Sequence, residues 1–586
     1  MKHFISRRNF LKAAGVTAAA SAMAAAVPQA SAGFLTGKDA AVTILYTNDV
    51  HTYIDNKSPK LTYAAIAAMK QGYMDEGKPV LLVDAGDHIQ GTAYGSMDNG
   101  ATIIELMNEA GYDIATLGNH EFDYGMARAK AIIKEADFPY VSCNWVDLRT
   151  GLRVLPAVKL FPAGGKWIAF VGITTPESFT KSTPAYFMNA KQTKYIYDIL
   201  GGDDGRKLYD AVQKAIDKAK TLGADIIIGL GHLGVDPSSS PWTSEEVIAH
   251  TSGFDAFIDG HSHTVMENKQ VQDASGKAVT LTQTGSYFAN VGEMTIAADG
   301  TITTKLIPTH DGMDAGIAAM QTGWVNTVDD MLGEKIAVGD SDFYISDPAT
   351  GKRRIRSAET NLGDFVADGI YTYFNEVEKL HCDVAIMNGG GIRADVPAGD
   401  WTFKTCKQVS PFGNVACLMS VTGKQIQDAL EFGARFVGPE GKENGGFLHV
   451  AGATYEIHTD IPNTVLTDDK NVWMGSATGT PRVQNVRIYN KKTGTYEPLD
   501  LNRTYALAGM NYTLRNLGDG FAMFDGAELI KDYVSEDYLV MSTYAMIFDA
   551  VNDVPVLSSA NSPLASYPGY LLNYENPYGA GRIQVV

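Results

Sequence analysis

LGNHEFDYG, residues 117–125, follows the apolar run IATL (114–117) and crowds Asn119, His120, Glu121 and Asp123 into one turn. Alone, such a stretch reads as a hydrated loop, because Asn and Asp side chains bond readily to their own backbone. The question is whether other apolar runs end the same way. VTILYT (42–47) leads into Asp49 and His51, VLLVDA (80–85) into Asp87, DIIIGLG (225–231) into His232, and DAFIDG (255–260) into His261 and His263. Near-continuous Val, Ile and Leu marks strands buried on both faces. Helix-like segments such as LTYAAIAAMKQGYMDEG (61–77) and YDAVQKAIDKAKTLG (209–223) fall between them. The pattern predicts a layered α/β domain, in which sites gather at the carboxyl ends of strands.

Five of the 12 histidines stand in these endings. A lone histidine is more often a cap or core residue than a ligand, but packing has no use for imidazoles after so many strands. Mixed carboxylate and imidazole donors suit Zn, Mn or Fe better than Ca or Mg, and the absence of thiolates argues against a structural zinc knot. Asp49, His51, Asp87, Asn119, His232, His261 and His263 are too many donors for one tetrahedral ion. Two ions ~3.5–4 Å apart and sharing one carboxylate would use them all. Asp87 is the natural bridge.

The chain has 586 residues, 45% of them hydrophobic, with 59 glycines, which fits a soluble globular protein of more than one domain. After the first α/β region (33–313), residues 314–340 read as a linker helix. A second α/β or α+β region (341–586) contains NLGDFVADGIYTYF, VAIMN, RVQNVRIY and TYALAGM.

The order D-x-H, GD, GNHE, GH, GHSH resembles the calcineurin-like metallophosphoesterase superfamily. NGGGIR (388–393) and PFGN (411–414) extend the likeness to the bacterial 5′-nucleotidase family across nearly all of the mature chain. The resemblance implies an N-terminal α/β/β/α catalytic domain and a C-terminal α/β substrate-binding domain that rotates about the linker. It implies one metal on Asp49, His51, Asp87 and His263 and another on Asp87, Asn119, His232 and His261. Many relatives carry an amide in place of His263. His120 would stabilise charge on the phosphoryl group, oriented by Asp123, with Glu121 supporting the turn. Asp123 favours the 5′-nucleotidase branch, since relatives that act on 2′,3′-cyclic phosphates and as 3′-nucleotidases typically have Asn there.

In the second region the same likeness assigns Arg356 and Arg393 to clamping phosphate or carboxylate. A further arginine of the family falls on Lys352 or, with a shift of one, Arg353. Phe412 and Asn414 match nucleobase contacts, Tyr512 a second stacking aromatic, and Asp519 a ribose-binding acid. The implied enzyme removes 5′-phosphate from nucleotides. Cyclic-nucleotide, UDP-sugar and NAD hydrolysis use the same centre, and a nucleotide-binding surface protein without turnover is an alternative of another class.

SRRNFLKAAG (6–15), an Ala-rich run and the A-x-A at Ala30–Ala32 resemble a twin-arginine export signal cut after Ala32. The run is shorter than the ~20 apolar residues a membrane span needs, so the expected location is periplasmic or secreted, with the twin-arginine translocase as a transient partner and no stable membrane insertion. Removing Lys2, Arg7, Arg8 and Lys12, with no acid among them, takes the formal charge from −19 to about −23. Such a polyanion is not expected to bind nucleic acid or anionic lipid without specificity, so an anionic substrate must meet local positive charge. Cys143, Cys382, Cys406 and Cys417 show no metal-site spacing. Buried thiols are expected, with a Cys406–Cys417 bridge as the alternative.

Overall fold

The computed structural model describes residues 40–586 apart from 55–60, 183, 190–192, 439–442 and 532–534. The export segment, 1–32, lies outside the described residues. In the first half, one sheet has the order 302–307, 291–296, 42–47, 80–84, 114–115, and the other 265–272, 278–284, 256–258, 226–232, 166–174, 158–163. Most of the strands expected from the sequence lie inside the sheets, where Val42–Thr47 pairs in parallel with Val80–Asp84 and Ile226–His232 in parallel with Lys166–Thr174, while the IATL run gives only the short edge strand Ile114–Ala115. The sheets face each other. Ile44, Tyr46, Leu81 and Val83 share one core with Ile168, Phe170, Ile228 and Leu230, which accounts for the apolar residues on the facing sides of these strands.

Helices cover the outer faces. Tyr63–Asp75 and Ala101–Ala110 pack on the first sheet. Arg206–Thr221 packs on the second through Leu208, Val212, Ala215, Ile216 and Ala219, spaced to fall on one helical face. Each of the larger ones, Leu208, Val212 and Ile216, contributes ~1.5–3 kcal/mol on burial. The result is the α/β/β/α sandwich.

The connecting helix is Ala315–Leu332, started by Asp314, whose side chain accepts from the Ile317 N–H. It lies against the first half, with Gln321 donating to the Ile54 carbonyl and Trp324 Nε1 to that of Tyr94. The helix is shorter than the linker read from the sequence. Gly333 follows its last turn, and Lys335–Gly339 is a strand paired with Gly399–Thr402 and Val554–Leu557 of the second half, burying Ile336 and Ala337 there.

The main sheet of the second half has the order 448–451, 384–388, 504–510, 416–422, 528–531. The final strand of the chain, Ile583–Val585, pairs with Ala453–Ile457 in a separate sheet and is tied in by Arg582, which is buried and bonded to Asp368 at 2.8 Å while Glu359 accepts the Arg582 and Ile583 N–H groups. The halves meet through Lys404, bonded to Asp329 and Tyr94, and Lys470, 2.7 Å from Asp198 and 4.1 Å above the Phe179 ring. All four cysteines are buried and none is in a disulfide, so the Cys406–Cys417 bridge is not formed. Among the described residues no helix is long and apolar enough to cross a membrane.

Candidate active site

The five strand endings of the sequence reading converge at one edge of the sandwich. Asp49 Oδ1 lies 3.4 Å from His263 Nε2 and 3.9 Å from the Nε2 atoms of His51 and His232. Asp87 Oδ2 lies 3.0 Å from His232 Nε2, 3.8 Å from His51 Nε2 and 4.0 Å from His120 Nε2. Asp87, His232 and His261 bring donor atoms within 4.8 Å of one another, as do Asp49, His51 and His263.

The backbone is bent to achieve this. Asp49, His51, Asp87, His261 and His263 all have positive φ, between 48° and 80°, a conformation non-glycine residues avoid unless the surroundings enforce it. The glycines of the GD, GN and GH pairs make room. A Cβ on Gly118 would sit 2.2 Å from Asp87 Oδ1, and one on Gly260 would sit 2.8 Å from His232 Nδ1.

The donors fit a cation pair. His51 and His232 each donate Nδ1–H to a carbonyl, of Gln90 at 2.8 Å and Ala85 at 2.7 Å, which leaves their Nε2 lone pairs facing the cluster. His51 and His263 place Nε2 against Nε2 at 3.0 Å, an approach that a shared cation would satisfy. Asn119 Oδ1 and His232 Nε2 are buried with no hydrogen-bond partner. Electrostatics agree. Burial alone would raise Asp49, yet the His232 and His263 imidazoles outweigh it and hold the acid at about 2. Burial pushes His51 well below the usual imidazole range, keeping it neutral for ligation. Burial opposes protonation of His232 too, but Asp87 and Asp49 overcome it and lift that imidazole to about 10, a measure of how strongly the two acids attract positive charge.

In the opening turn, His120 Nδ1 is 2.5 Å from Asp123 Oδ2, and its backbone N–H donates to Asp87 Oδ1 at 2.8 Å. Glu121 points away from the cavity and accepts N–H groups from Asp87, His88 and Gly118, so it holds two ligand loops together. His88, passed over in the sequence, bonds Asp84 and Tyr140 and is buried; Asp84 and Glu121 raise it to about 9 although burial opposes this.

The second half supplies the opposite wall of a cavity, open at its mouth, onto which Asp87, Asn119, His120, Asp123, His261 and His263 also face. Arg356, Arg393, Phe412, Asn414, Tyr512 and Asp519 all line it. Arg356 Nε is buried without a partner, and burial, with Arg353 and Arg393 close by, brings this guanidinium down to about 9. NGGGIR forms a tight turn of small residues. A Cβ on Gly389 would lie 2.3 Å from the Ile355 carbonyl, so the turn carrying Arg393 packs directly on the segment carrying Arg356. Phe412 lies between Arg393 (5.6 Å) and the His120 ring (6.0 Å). Its loop is pinned by Asp537, which accepts from the Asn414 N–H and donates its own N–H to the Asn414 carbonyl. Asp519 accepts from Asn388 Nδ2 at 2.9 Å and donates its N–H to the Tyr512 hydroxyl.

Lys352 is the exception: it is exposed and does not line the cavity, whereas its neighbour Arg353 does, held by Glu443. An isolated bridge pairs 346 with 353, and of the two positions left open by the sequence it is Arg353 that lines the cavity. Glu177, Lys181 and Ser239 also line the cavity and were not singled out in the sequence.

A sandwich with a two-cation donor cluster at its strand ends, facing a cationic wall, defines a metal-dependent phosphoesterase. Residues 42–265 match the model of the calcineurin-like phosphoesterases, 336–526 that of the 5′-nucleotidase C-terminal domain, and 5–24 that of the twin-arginine signal sequence. The chain belongs to the 5′-nucleotidase family of calcineurin-like phosphoesterases and is exported, to the periplasm or beyond. It is 27% identical over 592 residues to rat 5′-nucleotidase, covering 92% of this chain and 94% of that one. It is 29% identical over 547 residues to the trifunctional nucleotide phosphoesterase protein YfkN of Bacillus subtilis, covering 86% of this chain but spanning only a third (33%) of that protein. The fold superposes on a 5′-nucleotidase precursor from Thermus thermophilus with a TM-score of 0.73 at 24% identity, covering 93% and 99% of the two chains.

Proposed function

We propose that the chain hydrolyses the 5′-phosphate ester of nucleotides, with Asp49, His51, Asp87 and His263 holding one divalent cation and Asp87, Asn119, His232 and His261 the other. The carrying observation is the single cavity in which this cluster faces Arg356, Arg393 and Phe412. Zinc or manganese suits the mixed donors. When bound, such a pair neutralises phosphoryl oxygens and acidifies water for in-line attack.

The protein's own groups do the rest. His120 presents Nε2 to the phosphoryl group. Burial lowers its pKa, but Asp123 and Asp87 raise it further, so the imidazolium that can donate from Nε2 is favoured. Arg393 and Arg356 are planar forks suited to anionic oxygens. Phe412 and Tyr512 offer faces to a base, and Asn414 and Asp519 offer polar atoms to base and ribose. An aromatic platform accepts any base, since each has a π-face. The relatives named 5′-nucleotidase support this substrate class.

Phosphate release from AMP, 3′-AMP, cyclic 2′,3′-AMP, UDP-glucose and NAD, with and without chelator, tests the reading. AMP should be cleaved best and only with metal. Cleavage of the cyclic ester with AMP untouched would overturn the assignment, and AMP binding without turnover in the metal-loaded protein would make it a binding protein.

A further inference from the structure

Strand Lys166–Thr174 lies beside Ile226–His232 and ends at the same edge of the sandwich, yet none of the seven donors comes from it. What it delivers, three residues on, is Glu177. This carboxylate is buried, and its Oε2 accepts from His261 Nε2 at 2.8 Å and from Ser239 Oγ at 2.6 Å. Lys181 stands 3.9 Å from Oε1. Glu177 immediately precedes the short helix Ser178–Lys181 but makes no capping bond to it. Its carboxylate is turned to the imidazole instead.

The consequence for His261 is a reversal. His51 and His232 spend Nδ1–H on carbonyls and present Nε2. His261 spends Nε2–H on Glu177, so the nitrogen left for ligation is Nδ1, and the partner that fixes this tautomer is an anion. An anionic partner makes the ligating nitrogen more basic than a carbonyl does. His261 needs that help, because its backbone is held at φ 80° by Asp49, which accepts its N–H.

We propose that Glu177 is a positioning residue for the cation shared by Asp87, Asn119, His232 and His261, holding His261 in its Nδ1-ligating tautomer. This rests on the two-cation reading above. Glu177 touches neither the phosphoryl group nor the cation, so its loss acts on how tightly one ion of the two is held.

The experiment is a calorimetric titration of the metal-free full chain with Mn²⁺, alongside EPR of the loaded protein. The wild type should take two ions and show an exchange-coupled pair. Glu177→Gln keeps the shape but can donate to the imidazole and release its tautomer. It should take the first ion as the wild type does, bind the second ~10–100-fold more weakly, and show the signal of an isolated ion at low Mn²⁺. The metal-free melting temperature should match wild type, and Glu177→Asp should recover part of the second-ion affinity. If Glu177→Gln does not fold, Ser239→Ala, which removes the other bond to the same oxygen, should weaken the second ion by a few-fold. Two ions held with wild-type affinity in either folded variant, or a lowered metal-free melting temperature with unchanged affinities, would leave Glu177 a structural acid. A wild type that binds fewer than two ions would overturn the two-cation reading itself, and Glu177's role with it.

Discussion

Asp123→Asn is the sharpest test of the turn at residues 117–125. The 2.5 Å contact from Asp123 Oδ2 to His120 Nδ1 is short and charge-assisted. Bonds of that kind contribute ~1.5–3 kcal/mol against ~0.5–1.5 for neutral ones, so the amide should forfeit ~1–2 kcal/mol, or a ~5–30-fold loss in kcat. KM for AMP should hold within about twofold, because the groups facing the nucleoside are on the other wall. Both cations should remain, since Asp87 is tied to this turn through the His120 backbone N–H and not through its side chain. His120→Asn should be at least as damaging. The double variant should be little worse than His120→Asn alone, because two residues acting as one unit are not additive. The assays are steady-state AMP hydrolysis and metal content by mass spectrometry. Additive losses, or one ion missing from Asp123→Asn, would show that Asp123 serves the ligand shell and not the imidazole.

Gly118→Ala would place a methyl 2.2 Å from Asp87 Oδ1, so metal content and activity should fall together; a fully loaded, active variant would mean that this close approach is not required. Phe412→Ala should raise KM for AMP by the ~1–3 kcal/mol of a lost stack while changing hydrolysis of a small aryl phosphate far less, and equal losses on both would mark Phe412 as a prop for the neighbouring His120 ring. Burial pushes Asp537 from 3.8 up to about 7 in the folded protein, despite Lys407 and backbone donors. Between those values the native state holds the extra proton, so stability falls as pH rises through that window. Asp537→Asn has no proton to lose, and its melting temperature should gain on wild type from pH 5 to pH 8; parallel curves would place the Asp537 pKa near normal.

The convergence of these side chains was legible because each stands shortly after an apolar run, and sandwich packing brings the ends of such runs to one edge. His88 shows the limit. It follows Asp87 in the sequence as closely as His120 follows Asn119, but faces Asp84 and Tyr140 beneath the site, and nothing in its neighbours' identities reveals that direction. Glu177 was hidden because Thr175 and Pro176 separate it from the apolar part of its strand, and its importance depends on His261 arriving from 84 positions away. The run KRRIR (352–356) offered four cations, one lysine and three arginines. Which of them faces the cavity is decided by the turn at 347–352 and by the bonds Asp395 makes to the backbone at 345 and 346, contacts distant in sequence. The end of the linker was lost for a similar reason: 335–339 is a strand only because 399–402 and 554–557 pair with it.

The Asp49 carboxylate accepts the His261 N–H across 212 positions, and the metal-binding candidates between them come from both sheets. No fragment much smaller than the whole first half contains a complete set, so the full donor shell exists only once both sheets are in place. The sheets must pair and close first, at the slow pace of non-local parallel strands, before a cation finds its full shell. A chain that travels folded on the twin-arginine route therefore has its site assembled, and able to take its ions, before it crosses the membrane.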